Sequence, residues 1–177
     1  VNGVAQAARS FGYDVLLVTG KESFDSVERL VRGKQVDGFV VLDVEEADPR
    51  VSALQAAGAA CALVGMPAGV EDLDRVDLDW ERAGALLVEQ IARAGHREFC
   101  LIGAPTVAHE LGMTYATRFI SGVRTAAADA GMIWTDVAAS NDFVETTRIV
   151  SATLDRNPLV TAFLVQHEAA VAPLLAA

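Results

Sequence analysis

The chain has 177 residues, 52 % of them hydrophobic, and a formal net charge of −10. That length and apolar content suit one large domain or two small lobes around a sizeable core, and they exclude intrinsic disorder. The acidic excess repels a phosphate backbone, so this segment is a poor DNA binder by itself; if the whole protein touches DNA, another segment must make that contact. No apolar run approaches the ~20 residues needed to cross a bilayer, and no membrane partner is expected. The opening VNGVAQAARSFGYD lacks an initiator methionine, a basic start and a signal-like apolar stretch. It begins in mid-pattern and is expected to be a piece of a longer protein.

Short runs of Val, Leu and Ile alternate with longer Ala-rich stretches of helical period. Val1 to Phe11 predicts a helix stopped at Gly12, and Tyr13 to Thr19 a strand. A helix follows from Phe24 to Arg32, with Ser23 as N-cap and Gly33 as terminator. Val36 to Leu42 is the next strand. Asp48-Pro49 opens a helix ended by Gly58, and Ala60 to Val64 reads as a strand. Asp74 to Asp79 predicts a short strand, Trp80 to Ala94 a long helix ended by Gly95, and Glu98 to Ile102 a strand. Ala116 to Ala130 is a long helix ended by Gly131. A weak strand near Ile133 to Ala138, a helix from Thr146 to Asp155, a strand from Ala162 to Val165 and a helix from Ala169 to Ala177 complete the order. Strand–helix–strand throughout argues for α/β architecture with doubly wound parallel sheets, because parallel strands need helical crossovers and are then covered on both faces. Gly103 to Met113, glycine- and proline-bearing and without clear period, is read as the crossover. That gives an N-terminal lobe over 1–103 and a C-terminal lobe over 104–177.

Gly20-Lys21-Glu22-Ser23 looks superficially like a phosphate loop, but Val15 and Glu22 stand where Gly and Ser or Thr are required. It reads as a strand-to-helix turn. There is no G-x-G-x-x-G after a strand and no G-x-S-x-G elbow. Asp77 and Asp79 alternate with Val76 and Leu78 on one face of a strand, either as a paired acid/base or cation site or as a polar surface face. Cys61 and Cys100 lie in apolar runs and read as buried thiols. His96, His109 and His167 are scattered without metal-ligand spacing. No catalytic set, metal or cofactor is expected. Gly95 suits a positive φ after its helix, and His96 can bond the last carbonyls.

Six stretches together resemble the effector domain of the LacI/GalR family of transcriptional repressors. They are Val36-Asp37-Gly38-Phe39-Val40-Val41-Leu42; Val76-Asp77-Leu78-Asp79 with Ala83-Gly84; Ala94-Gly95-His96-Arg97 with Phe99 to Gly103; Gly122-Val123 with Ala126 and Ala130-Gly131; Asn141-Asp142-Phe143; and Thr161-Ala162-Phe163 with His167-Glu168. Six in the right order span nearly the whole chain. The resemblance implies a periplasmic-binding-protein-like fold of type I: two lobes joined by crossover strands, with an effector in the cleft. It also implies that the family's first strand precedes Val1, that the last crossover follows Ala177, and that a helix-turn-helix lies further upstream.

The same resemblance supplies ligand-binding candidates. Phe143 matches an effector-stacking position in a loop at a strand end, where a ring can pack on a sugar or base face; core packing is the other reading of it. Glu168 matches the family's usual Asp after a strand, where a carboxylate accepts from ligand hydroxyls, one methylene further out. The family's Arg stands three residues before the Gly of its helix; here that place is Phe119, and Arg118 is about 100° around the helix. Either Arg118 enters the cleft from a shifted first turn or the guanidinium contact is gone. Tyr115, Asn141, Asp142 and Met66 are further cleft candidates, and Gly65 stands where the family often carries Asp. These departures argue against assuming a simple sugar effector.

The reading that follows is a cytoplasmic homodimeric repressor whose small-molecule effector, a sugar or other metabolite, alters dimer pose and operator affinity. Operator DNA is contacted through a segment outside this chain. The alternative is an extracytoplasmic solute-binding protein of a transporter; an enzyme on the same scaffold finds no nucleophile–base pair or metal set to support it.

Overall fold

The computed structural model describes residues 1–19, 23–140 and 142–177, with the Ser23 side chain left aside. The turn 20–22, the Ser23 cap and the candidate Asn141 therefore lie outside the described residues and side chains. In chain order the elements are α1 (Asn2–Ser10), α2 (Ser23–Gly33), β1 (Phe39–Val41), α3 (Pro49–Ala56), β2 (Cys61–Val64), β3 (Asp74–Val76), α4 (Trp80–Arg93), β4 (Glu98–Gly103), α5 (Thr106–Glu110), α6 (Thr114–Asp129), β5 (Ile133–Ala138), α7 (Phe143–Arg156), β6 (Ala162–Val165), a 3-10 turn (Glu168–Ala170) and α8 (Val171–Ala176).

These residues fall into two compact units. One is Val1–Phe39 with Pro49–Cys61; the other is Val40–Asp48 with Ala62–Ala177. In the first, α2 packs on α3, and the buried residues of the pair are Val27, Leu30, Val51 and Leu54. The second carries the strands, save the first residues of β1 and β2. Its two three-stranded sheets run β1-β2-β3 and β5-β4-β6. β2 pairs with β3 in parallel, and β4 pairs in parallel with both β5 and β6.

β4 is the spine of the second sheet. Phe99 and Leu101 face a core built with Val88 of α4, Phe119 and Val123 of α6, and Leu164 of β6. Ile102 faces the other way, to Ala139, Val150 of α7 and Ala170. Burial on both faces is what its unbroken apolar sequence requires. Glu98–Gly103, assigned with the N-terminal lobe 1–103, is the central strand of the sheet that also holds β5 and β6. The segment 103–113, expected as the crossover, contains α5, a five-residue helix.

Three further expectations change. Tyr13 to Thr19 joins neither sheet, and Tyr13, Val15, Leu16 and Leu17 are exposed. An apolar run becomes a strand only when a neighbour takes its backbone hydrogen bonds. The strand expected over Asp74 to Asp79 stops at Val76. There Asp79 turns to cap α4, its Oδ1 accepting from the Arg82 N–H at 2.9 Å. The third change is the end of α2. Gly33 stays helical and Lys34 takes the left-handed position, at φ +47°. The Lys34 and Gln35 N–H groups close the turn on the Val31 and Leu30 carbonyls. A lysine there holds a conformation glycine adopts without a Cβ clash. Lys34→Gly is expected to stabilise the protein by about 0.5–1 kcal/mol in a urea titration; an unchanged or lowered midpoint would count against the strain.

Gly95 ends α4 as expected, at φ +91°. The His96 main-chain N–H bonds the Ile91 carbonyl at 3.1 Å. Its ring does not cap the helix; Nδ1 lies 2.8 Å from the Thr161 hydroxyl, next to β6.

Candidate functional site

Parallel strands deliver their carboxyl ends to one edge, and the loops leaving that edge are where open α/β sheets hold ligands. In the second unit, β1 leads into Leu42–Asp48, β2 into Gly65–Ala68, β4 into Ala104–Pro105 and α5, β5 into Ser140 and α7, and β6 into Gln166–Glu168. Two side chains join these loops. The Oε1 of Gln166 accepts from the Ala104 N–H at 3.1 Å, while its Nε2 donates to the Tyr115 carbonyl at 3.3 Å. Glu46 accepts from the Ala68 N–H at 3.3 Å and from the Thr117 hydroxyl at 3.4 Å. The first turn of α6 therefore stands among loops from the carboxyl ends of both sheets.

The residues singled out in the sequence are distributed around this edge. Met66, half-buried, follows β2. Tyr115 and Arg118 lie in the first turns of α6. The Tyr115 ring is half-buried against Trp80, with centroids 5.9 Å apart and planes tilted by 54°. Burial pushes its hydroxyl pKa up, and the nearby Asp43 charge adds to the shift. Phe119 belongs to the α4–α6 core. Arg118, one residue earlier, is half-buried, and its Nε is buried without a hydrogen-bond partner among the described residues.

Asp142 and Phe143 follow β5. Asp142 is an N-cap: its Oδ1 accepts from the Glu145 N–H at 2.7 Å, where the carboxylate also meets the positive end of the helix dipole. Phe143, expected in a loop, is instead the first residue of α7, because the Asp142 cap starts that helix three residues before the expected Thr146. The residue is 51 % exposed, which sets it apart from the buried core. Glu168 is exposed and opens the 3-10 turn after β6.

Sequence reasoning passes over Glu46 and Gln166. Their only local signal is position, a few residues after a strand. Their partners lie 71 and 62 residues away in the chain, at Thr117 and Ala104. The Asp77–Asp79 pair does not form an acid/base or cation site, nor a strand face. Asp79 caps α4, and Asp77 Oδ1 accepts from the Trp80 indole N–H at 2.8 Å; its Oδ2 is buried without a partner among the described residues. No cluster of three or more His, Cys, Asp or Glu side chains suited to a metal occurs among the described residues. Cys100 is buried, and desolvation raises its thiol pKa, so the neutral, unreactive form dominates near neutral pH. Cys61, expected to be buried, is half-buried. No helix among the described residues is long and apolar enough to cross a membrane.

An edge of convergent hydroxyls, amides and carboxylates beside half-buried aromatic rings suits a polar organic ligand held by hydrogen bonds and ring stacking. Comparison with known proteins finds the following relatives. The HTH-type transcriptional regulator IpsA of Corynebacterium glutamicum is 29 % identical over 102 residues, 56 % of this chain and 28 % of that regulator. The transcriptional regulator CelR, solved in complex with cellobiose, is 27 % identical and superposes with a TM-score of 0.79 over 98 % of this chain and 54 % of its own. A LacI family transcriptional regulator from Bifidobacterium animalis subsp. lactis shares the fold at 15 % identity, with a TM-score of 0.86 over 98 % of this chain and 64 % of its own. The chain thus spans less than two thirds of the length of these proteins. The family model for periplasmic binding proteins and the sugar-binding domain of the LacI family matches residues 1–175, and the chain belongs to that family.

Proposed function

We propose that this chain is the effector-binding domain of a LacI-family transcriptional repressor. A small polar metabolite, a sugar or a related compound, lodges at the carboxyl edge of the two sheets and biases the pose of a homodimer. Operator DNA is bound by a segment outside these residues, since a net charge of −10 suits the chain poorly to a phosphate backbone. The role is binding without turnover, in the cytoplasm. The two sheets, β1-β2-β3 and β5-β4-β6, are the frameworks of the two lobes in this reading. The regulator names carried by its relatives favour this reading over a transport component.

The observation that carries the proposal is the convergence of strand ends from both sheets on the first turn of α6, linked through Glu46 and Gln166. A ligand that touches loops from both sheets binds their alternative arrangements with different affinity, and only such a difference can couple binding to dimer pose. The ligand contacts are assigned to Arg118, Phe143 and Glu168, with Tyr115, Asp142 and Met66 at the margin. A thermal-shift screen of neutral sugars, sugar phosphates and nucleosides on the intact protein is expected to find a compound that raises its melting temperature, because binding to the native state stabilises it. That compound should also change operator affinity; binding that leaves operator affinity untouched would overturn the repressor reading. For the compound found, Glu168→Ala should weaken calorimetric affinity by roughly 1–3 kcal/mol through loss of a hydroxyl acceptor. Unchanged affinity would remove Glu168 from the site.

A further inference from the structure

The segment leaving β1 and the turn between α5 and α6 lie side by side in antiparallel register, Glu45 opposite Met113. The Glu46 N–H donates to the Gly112 carbonyl at 2.9 Å, and the Thr114 N–H donates to the Val44 carbonyl at 3.0 Å. Glu46 then extends its carboxylate to the Ala68 N–H and the Thr117 hydroxyl. Val44 and Thr114 are 1 % and 2 % exposed, so the bridge is dry at its centre. One side of it belongs to the loops of the first sheet and the other to the helices of the second. Neither sheet uses it to complete its own ladder.

Gly65 lies beneath this bridge. A Cβ there would stand 2.8 Å from Val44 Cβ and 3.3 Å from Thr114 Oγ1, and the backbone is at φ +151°. Both neighbours are held, Val44 by its carbonyl bond and Thr114 by its N–H, so neither can yield without loosening the bridge. A larger residue after β2 is therefore incompatible with the close approach of residues 44 and 114.

We propose that Val44–Glu46 and Gly112–Thr114 form a latch that holds the two sheets' facing loops together, with Gly65 as the gap that lets it close and Glu46 as its positioning residue. The latch sets the fraction of molecules in the closed arrangement, and the apparent affinity of any ligand that needs that arrangement scales with the fraction. Its consequence for effector binding rests on the function proposed above; its existence does not.

Residue-resolved hydrogen exchange on the intact protein, with no ligand added, tests it. In Gly65→Ala the Glu46 and Thr114 amides are expected to exchange at least tenfold faster than in the parent, while the Leu101 and Ile102 amides of β4 keep their protection. In Glu46→Ala, a change at an exposed side chain, the Ala68, Glu46 and Thr114 amides should exchange at least threefold faster, and Glu46→Gln should restore some of the protection through its amide oxygen. Parent-like exchange at Glu46 and Thr114 in Gly65→Ala overturns the latch. If Gly65→Ala weakens β4 in parallel, Glu46→Ala decides: unchanged exchange at these amides overturns the latch equally. A latch seen by exchange together with an empty ligand screen would leave the latch standing and remove the effector reading.

Discussion

Gly122→Ala is expected to destabilise the protein by roughly 2–4 kcal/mol, although alanine is the better helix former. Gly122 lies in the middle of α6, and α4 crosses it there. An ideal Cβ at Gly122 would stand 2.6 Å from the carbonyl carbon of Glu81 and 2.8 Å from its Cα. Those are backbone atoms of α4, which cannot swing aside as the end of a side chain can. The reciprocal contact is made by Gly84, whose added Cβ would meet the Val123 nitrogen at 3.0 Å. On a free helix face the exchange would contribute about 1 kcal/mol of stability. Here it must force the helices apart and open the core between Val88, Phe119 and Val123, and loss of close packing outweighs the propensity gain. Chemical denaturation decides the sign: a midpoint equal to or above that of the parent would show that α4 and α6 do not cross at these glycines.

Phe99→Ala should cost about 3–5 kcal/mol, the upper range for truncating a buried aromatic side chain. Phe99 is fully buried and heads the core cluster of the second sheet. Its ring lies 6.0 Å from that of Trp134 with planes 8° apart, across the Phe99–Trp134 pair of β4 and β5. Truncation removes the apolar transfer energy and leaves a cavity walled by helices and strands that cannot collapse together. The Trp134 fluorescence would report the lost neighbour independently of stability. An unfolding free energy within about 0.5 kcal/mol of the parent, the size of an ordinary surface effect, would refute the assignment of Phe99 to a rigid core. Both substitutions act through packing away from the proposed ligand edge. Glu168→Ala, by contrast, is expected to leave stability near the parent's, since its side chain is exposed.

These two substitutions differ in how far the sequence reveals their effect. Gly84 and Gly122 are visible in it as members of motifs, but a glycine inside a helical pattern does not say which backbone it faces. Phe99 is visible within an unbroken apolar strand, and its burial follows from that pattern. Trp134 as its stacking partner does not, because it depends on the register of β5 against β4.

The candidate site divides in the same way. Phe143 and Glu168 are reachable because each follows a strand at a place that resembles the family, and Tyr115 and Arg118 because they lie near the start of a helix, Arg118 one residue before the family's position. The sequence leaves Phe143 in a loop because the strength of Asp142 as a cap depends on a single 2.7 Å bond. Glu46 and Gln166 carry no comparable mark. Their importance lies in donors and acceptors contributed by loops far along the chain.

The sequence by itself determined the alternation of strands and helices from β1 onward apart from α5, the parallel α/β class, the glycine stop after α4 and the family, because periodicity, caps and short motifs are local and their physics is complete within a few residues. Only the tertiary structure decided that Tyr13–Thr19 joins no sheet, that Glu98–Gly103 is the spine of the second sheet, and that Gly65 makes room for Val44 against Thr114. Each of those outcomes turns on which backbone lies opposite, a quantity set by contacts among residues that no local window contains.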